Sequence, residues 1–178
     1  MNTSSLRLAQ IYDNDADSNG PGLRMVIFAQ GCKHHCKNCF NPETWDFNKG
    51  KEYSIKEVKK RILNNSVLID GITLSGGDPF FQPFAFSQLA IYAHSLNLNV
   101  WSWTGFTFEQ LRKLCKMDKN IELLINNIDI LVDGKYEEEL KVNDDEREKY
   151  PLRGSKNQRI IDVKKSLITK KIVVLKKI

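Results

Sequence analysis

Three cysteines fall within eight residues, in the run Cys32-Lys33-His34-His35-Cys36-Lys37-Asn38-Cys39. A metal centre closed off by protein takes four side chains, so three neighbouring thiols without a fourth point to a site with one coordination position open. An open position is where chemistry happens. The Cys-x3-Cys-x2-Cys spacing lets one loop wrap a cluster face and offer three sulfurs to three irons, leaving the fourth iron free. Gly31 permits the tight turn that such wrapping needs, and Pro42 keeps the exit from becoming an early helix.

Two plainer readings compete. A disulfide framework fits less well, because three cysteines cannot pair among themselves and residues 1–22 are polar and acidic, with no apolar stretch of a secretory signal. The thiols are therefore expected to be reduced and the protein cytoplasmic. A structural zinc site with His34 or His35 as fourth ligand is the other reading, although zinc ligands usually pair at two distant points and no second Cys or His pair is present. His94 reads as an ordinary helix residue. Cys115, in Leu111-Arg112-Lys113-Leu114-Cys115, reads as a core residue of a short helix.

The elements that must position these residues belong to a chain of 178 residues, enough for one domain, with 41% hydrophobic content. Twenty-seven basic against 22 acidic residues give a formal charge of +5. Part of the excess lies in Lys164, Lys165, Lys170, Lys171, Lys176 and Lys177, read as solvated surface. They lack the interleaved aromatics of a base-stacking surface, so no nucleic-acid partner is expected. No apolar run approaches the roughly 20 residues that span a bilayer, so no membrane partner is expected either.

Hydrophobic patterning predicts a βαβ order and hence an α/β fold with a mostly parallel sheet. Strands are expected at residues 23–29, 67–74, 99–103 and 128–132, with late strands at 159–163 and 172–175. Ser54 and Glu57 form a capping box opening a helix to about Asn65. Residues 82–96 read as helix, and Thr107 with Gln110 opens another. Residues 1–19 read as an N-terminal extension, and the charged stretch 137–150 as a surface insertion, an exposed loop or a frayed helix.

In parallel α/β folds the reactive ends are the carboxyl ends of the strands. The unusual residues sit there: the cysteine loop, then Ser75-Gly76-Gly77-Asp78-Pro79, Thr104-Gly105 and Asp133-Gly134-Lys135. A Gly-Gly turn ahead of a carboxylate lets backbone carbonyls approach a ligand, and the carboxylate can bind an ammonium group.

The cysteine triplet followed by this Gly-Gly-acid strand end resembles the radical S-adenosylmethionine enzymes. With Gly20-Pro21-Gly22-Leu23-Arg24, Trp103-Thr104-Gly105-Phe106-Thr107, Leu131-Val132-Asp133-Gly134-Lys135 and Arg153-Gly154-Ser155-Lys156-Asn157-Gln158-Arg159, the chain resembles more narrowly the glycyl-radical activases of anaerobic ribonucleotide reductase, over about residues 20–163. The triplet marks the superfamily, and the Arg-Gly-Ser-x-Asn-Gln stretch the activase.

The resemblance implies that Cys32, Cys36 and Cys39 hold a [4Fe-4S] cluster whose fourth iron binds the methionine moiety of S-adenosylmethionine. It also implies that Asn38, Cys39, Phe40, Gly76, Gly77 and Asp78 line that cofactor, with Asp78 or nearby carbonyls at its ammonium, and that Asp133 and Lys135 approach it. The reaction implied is one-electron cleavage of the cofactor to a 5′-deoxyadenosyl radical, which removes a hydrogen from a glycine α-carbon of the reductase. No catalytic residue beyond the cluster and cofactor is implied. The partners implied are the reductase and an electron donor such as a flavodoxin. A whole (β/α)8 barrel takes about 250 residues, so this length suits a partial, open TIM-like barrel whose lateral opening a partner's glycine loop could fill. Asn38 departs from the family, which usually has glycine there. Two other readings stay open: an activase of another glycyl-radical enzyme of the pyruvate formate-lyase type, and a non-catalytic zinc or iron-sulfur module.

Overall fold

A computed structural model of the chain describes residues 4–16 and 18–176. Residues 1–3 and 17 of the expected extension, and Lys177 of the basic tail, lie outside them. Seven strands form one sheet in the order β3-β1-β2-β4-β5-β6-β7. They are β1 (Ser5–Asp15), β2 (Arg24–Ala29), β3 (Lys51–Ser54), β4 (Gly71–Gly76), β5 (Asn99–Trp103), β6 (Ile130–Asp133) and β7 (Arg159–Asp162). The helices are α1 (Ile55–Asn65), α2 (Pro83–Ser95), α3 (Phe108–Leu114), α4 (Lys119–Ile125) and α5 (Val163–Thr169).

The sheet is parallel only in its middle. β2 with β4, β4 with β5 and β5 with β6 run parallel, whereas β1 pairs antiparallel with β2 and β3, and β7 with β6. A mostly parallel sheet therefore holds for four central strands. The architecture is an open seven-stranded sheet with β3 and β7 at its edges, and the barrel-like curvature expected from length is not established by it.

Strand alternation sorts the side chains into two layers. Met25, Ile27, Ile72, Leu74, Val100 and Leu131 face the helices and join Val58, Ile62, Phe86, Leu89, Leu111 and Leu124 in one core. On the other face Trp101, Val132 and Ile160 form a smaller cluster with Trp103 and Leu152 packed on it. Arg24 is fully buried on that second face. Its guanidinium donates to Thr73 Oγ1 at 2.7 Å, Ile72 O at 2.7 Å and Pro21 O at 3.2 Å, and lies 5.6 Å from the Trp101 ring centre.

The N-terminal segment is a correction. Residues 5–15 are not an appendage but an 11-residue strand, and Leu6, Leu8 and Ile11 are buried in the core. A register shift between Leu8 and Gln10 moves the buried face from even to odd positions, so strict alternation is lost from the sequence. Residues 67–70 are likewise not strand. Leu68 N and Ile69 N bond to Asn65 O as the exit turn of α1, leaving Val67 90% exposed.

The late strand expected at residues 172–175 reduces to one bridge, Val174 to Ile161. Before it lies α5, capped by Asp162, whose carboxylate accepts from Lys165 N at 2.9 Å. The capping boxes at Ser54 and Thr107 form as the sequence requires. The stretch 137–150 carries two single 3-10 turns and is tied down to residues 154–156. Val142 N donates to Gly154 O at 3.0 Å, Lys156 N to Leu140 O at 2.8 Å, and Lys156 pairs with Glu146 at 2.6 Å. Among the described residues no helix is long and apolar enough to cross a membrane.

Candidate cluster and cofactor site

The carboxyl ends of β2, β4, β5 and β6 deliver four loops to one side of the sheet. The first carries the cysteines. Gly31 has φ +102° and a Cβ there would lie 2.4 Å from the Phe47 ring, so only glycine fits the turn. Gly31 N donates to Thr44 O at 2.7 Å and Cys32 N to Trp45 O at 3.2 Å, while the Gln30 amide donates to Glu43 O and Asp46 O. The loop is thus braced from its own far side before any metal is considered. His35 at φ +48° and Asn38 at φ +53° supply two left-handed turns inside it. Asparagine tolerates that conformation, which accounts for Asn38 in this turn.

Backbone N–H groups act on all three sulfurs. Asn41 N donates to Cys39 Sγ at 3.4 Å, and those of His34 and Tyr136 favour the thiolates of Cys32 and Cys36. Burial pushes the Cys32 thiol up to about 11 and raises that of Cys36, where the nearby Lys135 charge acts in the opposite direction. Thiols so placed become thiolates when a cation supplies the compensating charge, and N–H donors to sulfur are what iron-sulfur centres use to set their potential. The donor set therefore fits a cluster.

Zinc completed by histidine fits less well. His34 Nε2 lies 2.8 Å from Asp78 Oδ2, and the His35 ring packs edge-on to Trp45 at 4.8 Å. Among the described residues no group of three His, Cys, Asp or Glu side chains closes on a single ion. Three sulfurs that serve three irons need not do so.

The second loop is zipped to the first. Gly77 N donates to Ala29 O at 2.8 Å and Asp78 N to Gly31 O at 3.1 Å. Gly76 has φ +95°, and a Cβ on Gly77 would meet Gly31 O at 2.5 Å. The glycines are there because two backbones touch. Asp78 itself is fully buried. Its Oδ2 accepts from His34 Nε2 at 2.8 Å, Thr104 Oγ1 at 2.8 Å and Gly105 N at 3.0 Å, and its Oδ1 from Phe80 N at 2.9 Å. A carboxylate with four donors is a junction between three loops.

Asp133 also turns out to be committed. It is buried, accepts from Phe108 N at 2.7 Å as a cap on α3, and pairs with Arg159. The next residues swing back to the cysteines: Tyr136 N reaches Cys36, and the Tyr136 ring packs on Phe40 at 4.9 Å. Lys135 lies within electrostatic range of Cys36, and with Gly105, Asp133, Gly134, Asn157 and Arg159 it lines a cleft of about 560 Å³. That cleft lies beside the cysteine loop and takes no lining from it. Cys115 is buried in the helix-side core and takes no part in the site.

The stretch 153–159 finds its place here. Gln158 accepts from Gly154 N and Ser155 N and donates to Gly134 O, and Asn157 donates to Lys135 O and Glu137 Oε1. It clamps the loop after β6. Sequence reasoning missed two contributors, His34 as a partner of Asp78 and Tyr136 as a donor to Cys36. The only signals were that His34 lies between two ligands and that Tyr136 follows a strand-end motif.

Residues 18–161 match the family described as a 4Fe-4S single cluster domain, and the chain belongs to it. The class so defined is that of single-cluster 4Fe-4S proteins. Within the class, the chain is 35% identical over 147 residues to the anaerobic ribonucleoside-triphosphate reductase-activating protein of Enterobacteria phage T4, covering 80% of this chain and 85% of that protein. It is 35% identical over 144 residues to that of Salmonella typhi, covering 76% and 88%, and 34% identical over 131 residues to that of Escherichia coli K12, covering 69% and 80%. The chain belongs to the anaerobic ribonucleoside-triphosphate reductase-activating protein family. Its fold is similar to that of QueE from Escherichia coli, with a TM-score of 0.50 at 15% identity, over 58% of this chain and about half (53%) of QueE.

Proposed function

We propose that this chain binds a [4Fe-4S] cluster through Cys32, Cys36 and Cys39 together with S-adenosylmethionine, and acts as an oxidoreductase that installs a glycyl radical on anaerobic ribonucleotide reductase. When bound, the reduced cluster would give one electron to S-adenosylmethionine, releasing methionine and a 5′-deoxyadenosyl radical that takes a hydrogen atom from a glycine α-carbon of the reductase and leaves as 5′-deoxyadenosine. The chain's own residues supply placement. Three thiols hold three irons. The carbonyls of the Gly76-Gly77 turn, held against the cysteine loop by Asp78, receive the ammonium of the methionine moiety, and the backbone of Asn38, Cys39 and Phe40 lines the remainder, with Lys135 beside it. Asp78 and Asp133 act through their neighbours rather than by touching the cofactor.

One observation carries this reading: the cysteine loop and the Gly-Gly turn are hydrogen-bonded to each other at Gly31 and Asp78, which supports a metal-holding loop and a cofactor-binding turn acting as one unit. Phe40, next to a ligand cysteine, is 62% exposed, which suits a protein surface closing over it. A flavodoxin-like donor would supply the electron.

The test is anaerobic reconstitution with iron and sulfide, followed by electron paramagnetic resonance of the reduced protein with and without S-adenosylmethionine. A cluster signal that shifts on cofactor addition, and a glycyl radical once the reductase is added, are expected. One zinc per chain with no cofactor-sensitive signal would remove the enzyme. A radical formed on another glycyl-radical enzyme but not on the reductase would reassign the partner.

A further inference from the structure

His34 lies between the first two ligand cysteines and touches both halves of the site. Its backbone N–H favours the Cys32 thiolate, while its imidazole reaches the Asp78 carboxylate at 2.8 Å. Asp78 Oδ2 already accepts from the Thr104 hydroxyl and the Gly105 amide, so the imidazole is assigned as the Nε2–H donor. The ring stands edge-on to Phe106 at 4.6 Å and lies 5.5 Å from Phe81. Gly105 makes room for it, since a Cβ there would fall 2.4 Å from His34 Cδ2. The side chain is 8% exposed.

The loop has fastenings of its own besides this packing. The loop is already fastened through Gly31, Cys32 and Gln30 to residues 43–46 on its far side. The imidazole adds a tie across to the turn that follows β4 and the turn that follows β5. We propose that His34 is a positioning residue: it fixes the spacing between the iron-holding loop and the Gly76-Gly77-Asp78 turn, so that S-adenosylmethionine affinity depends on it while cluster retention does not. The inference rests on the function proposed above. A small misplacement of one half of a two-part site is enough to cost affinity.

The experiment compares wild type, His34→Ala and His34→Gln, each reconstituted anaerobically. Iron and sulfide per chain are measured, then the reduced cluster's resonance is titrated with S-adenosylmethionine. His34→Ala should keep wild-type iron and sulfide while the cofactor concentration at half-effect rises about tenfold or more, the scale of losing a supporting contact at a metal centre. His34→Gln, which keeps a side-chain N–H donor, should recover most of that loss. An unchanged titration in His34→Ala would reduce His34 to packing. Loss of iron in both variants would make it part of cluster retention, and a glutamine no better than alanine would assign the effect to ring volume. Each of these overturns the inference. If the wild-type signal itself ignores the cofactor, the proposed function fails instead.

Discussion

Arg159 grips two carboxylates at once. Its Nε and Nη2 reach the two oxygens of Asp133 at 3.0 and 2.5 Å, and its Nη1 and Nη2 reach those of Glu109 at 3.0 and 2.7 Å. Asp133 ends β6, Arg159 begins β7 directly opposite it, and Glu109 lies in the first turn of α3. One planar cation therefore holds the end of a central strand to a helix N-terminus. This is why an aspartate at a strand end, read from sequence as facing a cofactor, serves the frame of the site.

The same pairing sets a pH dependence. Hydrogen bonding to Arg159 holds the Glu109 carboxyl down to about 2, against about 4.3 in an unfolded chain. A depressed folded value means stability that is full above about pH 4.3 and is lost as pH falls toward 2. Glu109 is half exposed, and screening keeps the gain to roughly 1 kcal/mol or less. Urea midpoints followed from pH 5 to pH 2 should fall more steeply for wild type than for Glu109→Gln. Parallel curves would show that the pair contributes nothing.

Arg24 is a different kind of arginine, buried with no carboxylate hydrogen-bonded to it among the described residues, and burial lowers its pKa to about 10. Arg24→Leu removes the donors to the Pro21 and Ile72 carbonyls and to Thr73 Oγ1, which keeps only its own donation to Asn19 O. Unmet buried polar groups cost about 1–3 kcal/mol each, so a loss of about 3 kcal/mol is expected with the denaturant slope unchanged. A loss below 1 kcal/mol would mean that water replaces the guanidinium.

Cys36→Ala should abolish reconstituted iron and the charge-transfer absorption of the cluster. Cys115→Ala should retain both, at a stability cost of about 1 kcal/mol for the small cavity left in the helix-side core. Full iron in Cys36→Ala, or its loss in Cys115→Ala, would reverse the ligand assignment.

Gly77→Ala places a methyl 2.5 Å from Gly31 O, a backbone atom that cannot rotate away. The two loops must separate, at an expected cost of about 1–3 kcal/mol, and cofactor affinity should fall further than that of Gly134→Ala, where a Cβ meets nothing nearer than 3.8 Å and the strain comes from φ +100° alone. Calorimetry for the first effect and the cofactor titration for the second check it. Equal affinities in the two variants would detach the turn from the cofactor.

What was legible in the sequence was the set of punctuation marks at strand ends. The cysteine triplet, Gly76-Gly77-Asp78, Thr104-Gly105 and Asp133-Gly134-Lys135 each interrupt an apolar run, and their shared placement at carboxyl ends follows from the βαβ rule. Illegible were contacts between distant positions. Asp78 meets His34 across 44 residues, so its commitment to the frame is invisible in a local reading. The strand β1 was hidden by its bulge. The helix α4 was readable and passed over: Asp118 caps it, and Ile121, Leu124 and Ile125 are buried at helical spacing.

Four parallel strands each contribute one loop to the site, and that arrangement orders events in time. Parallel neighbours are joined through intervening helices, so residues 34, 78 and 104 meet only after long stretches of chain have closed, the slow class of contact. Iron offered during synthesis finds three thiols on a short segment long before the turn carrying Asp78 exists. The cysteine loop is thus exposed to premature metal capture and oxidation in the nascent chain, and the rate of sheet assembly sets how long that exposure lasts.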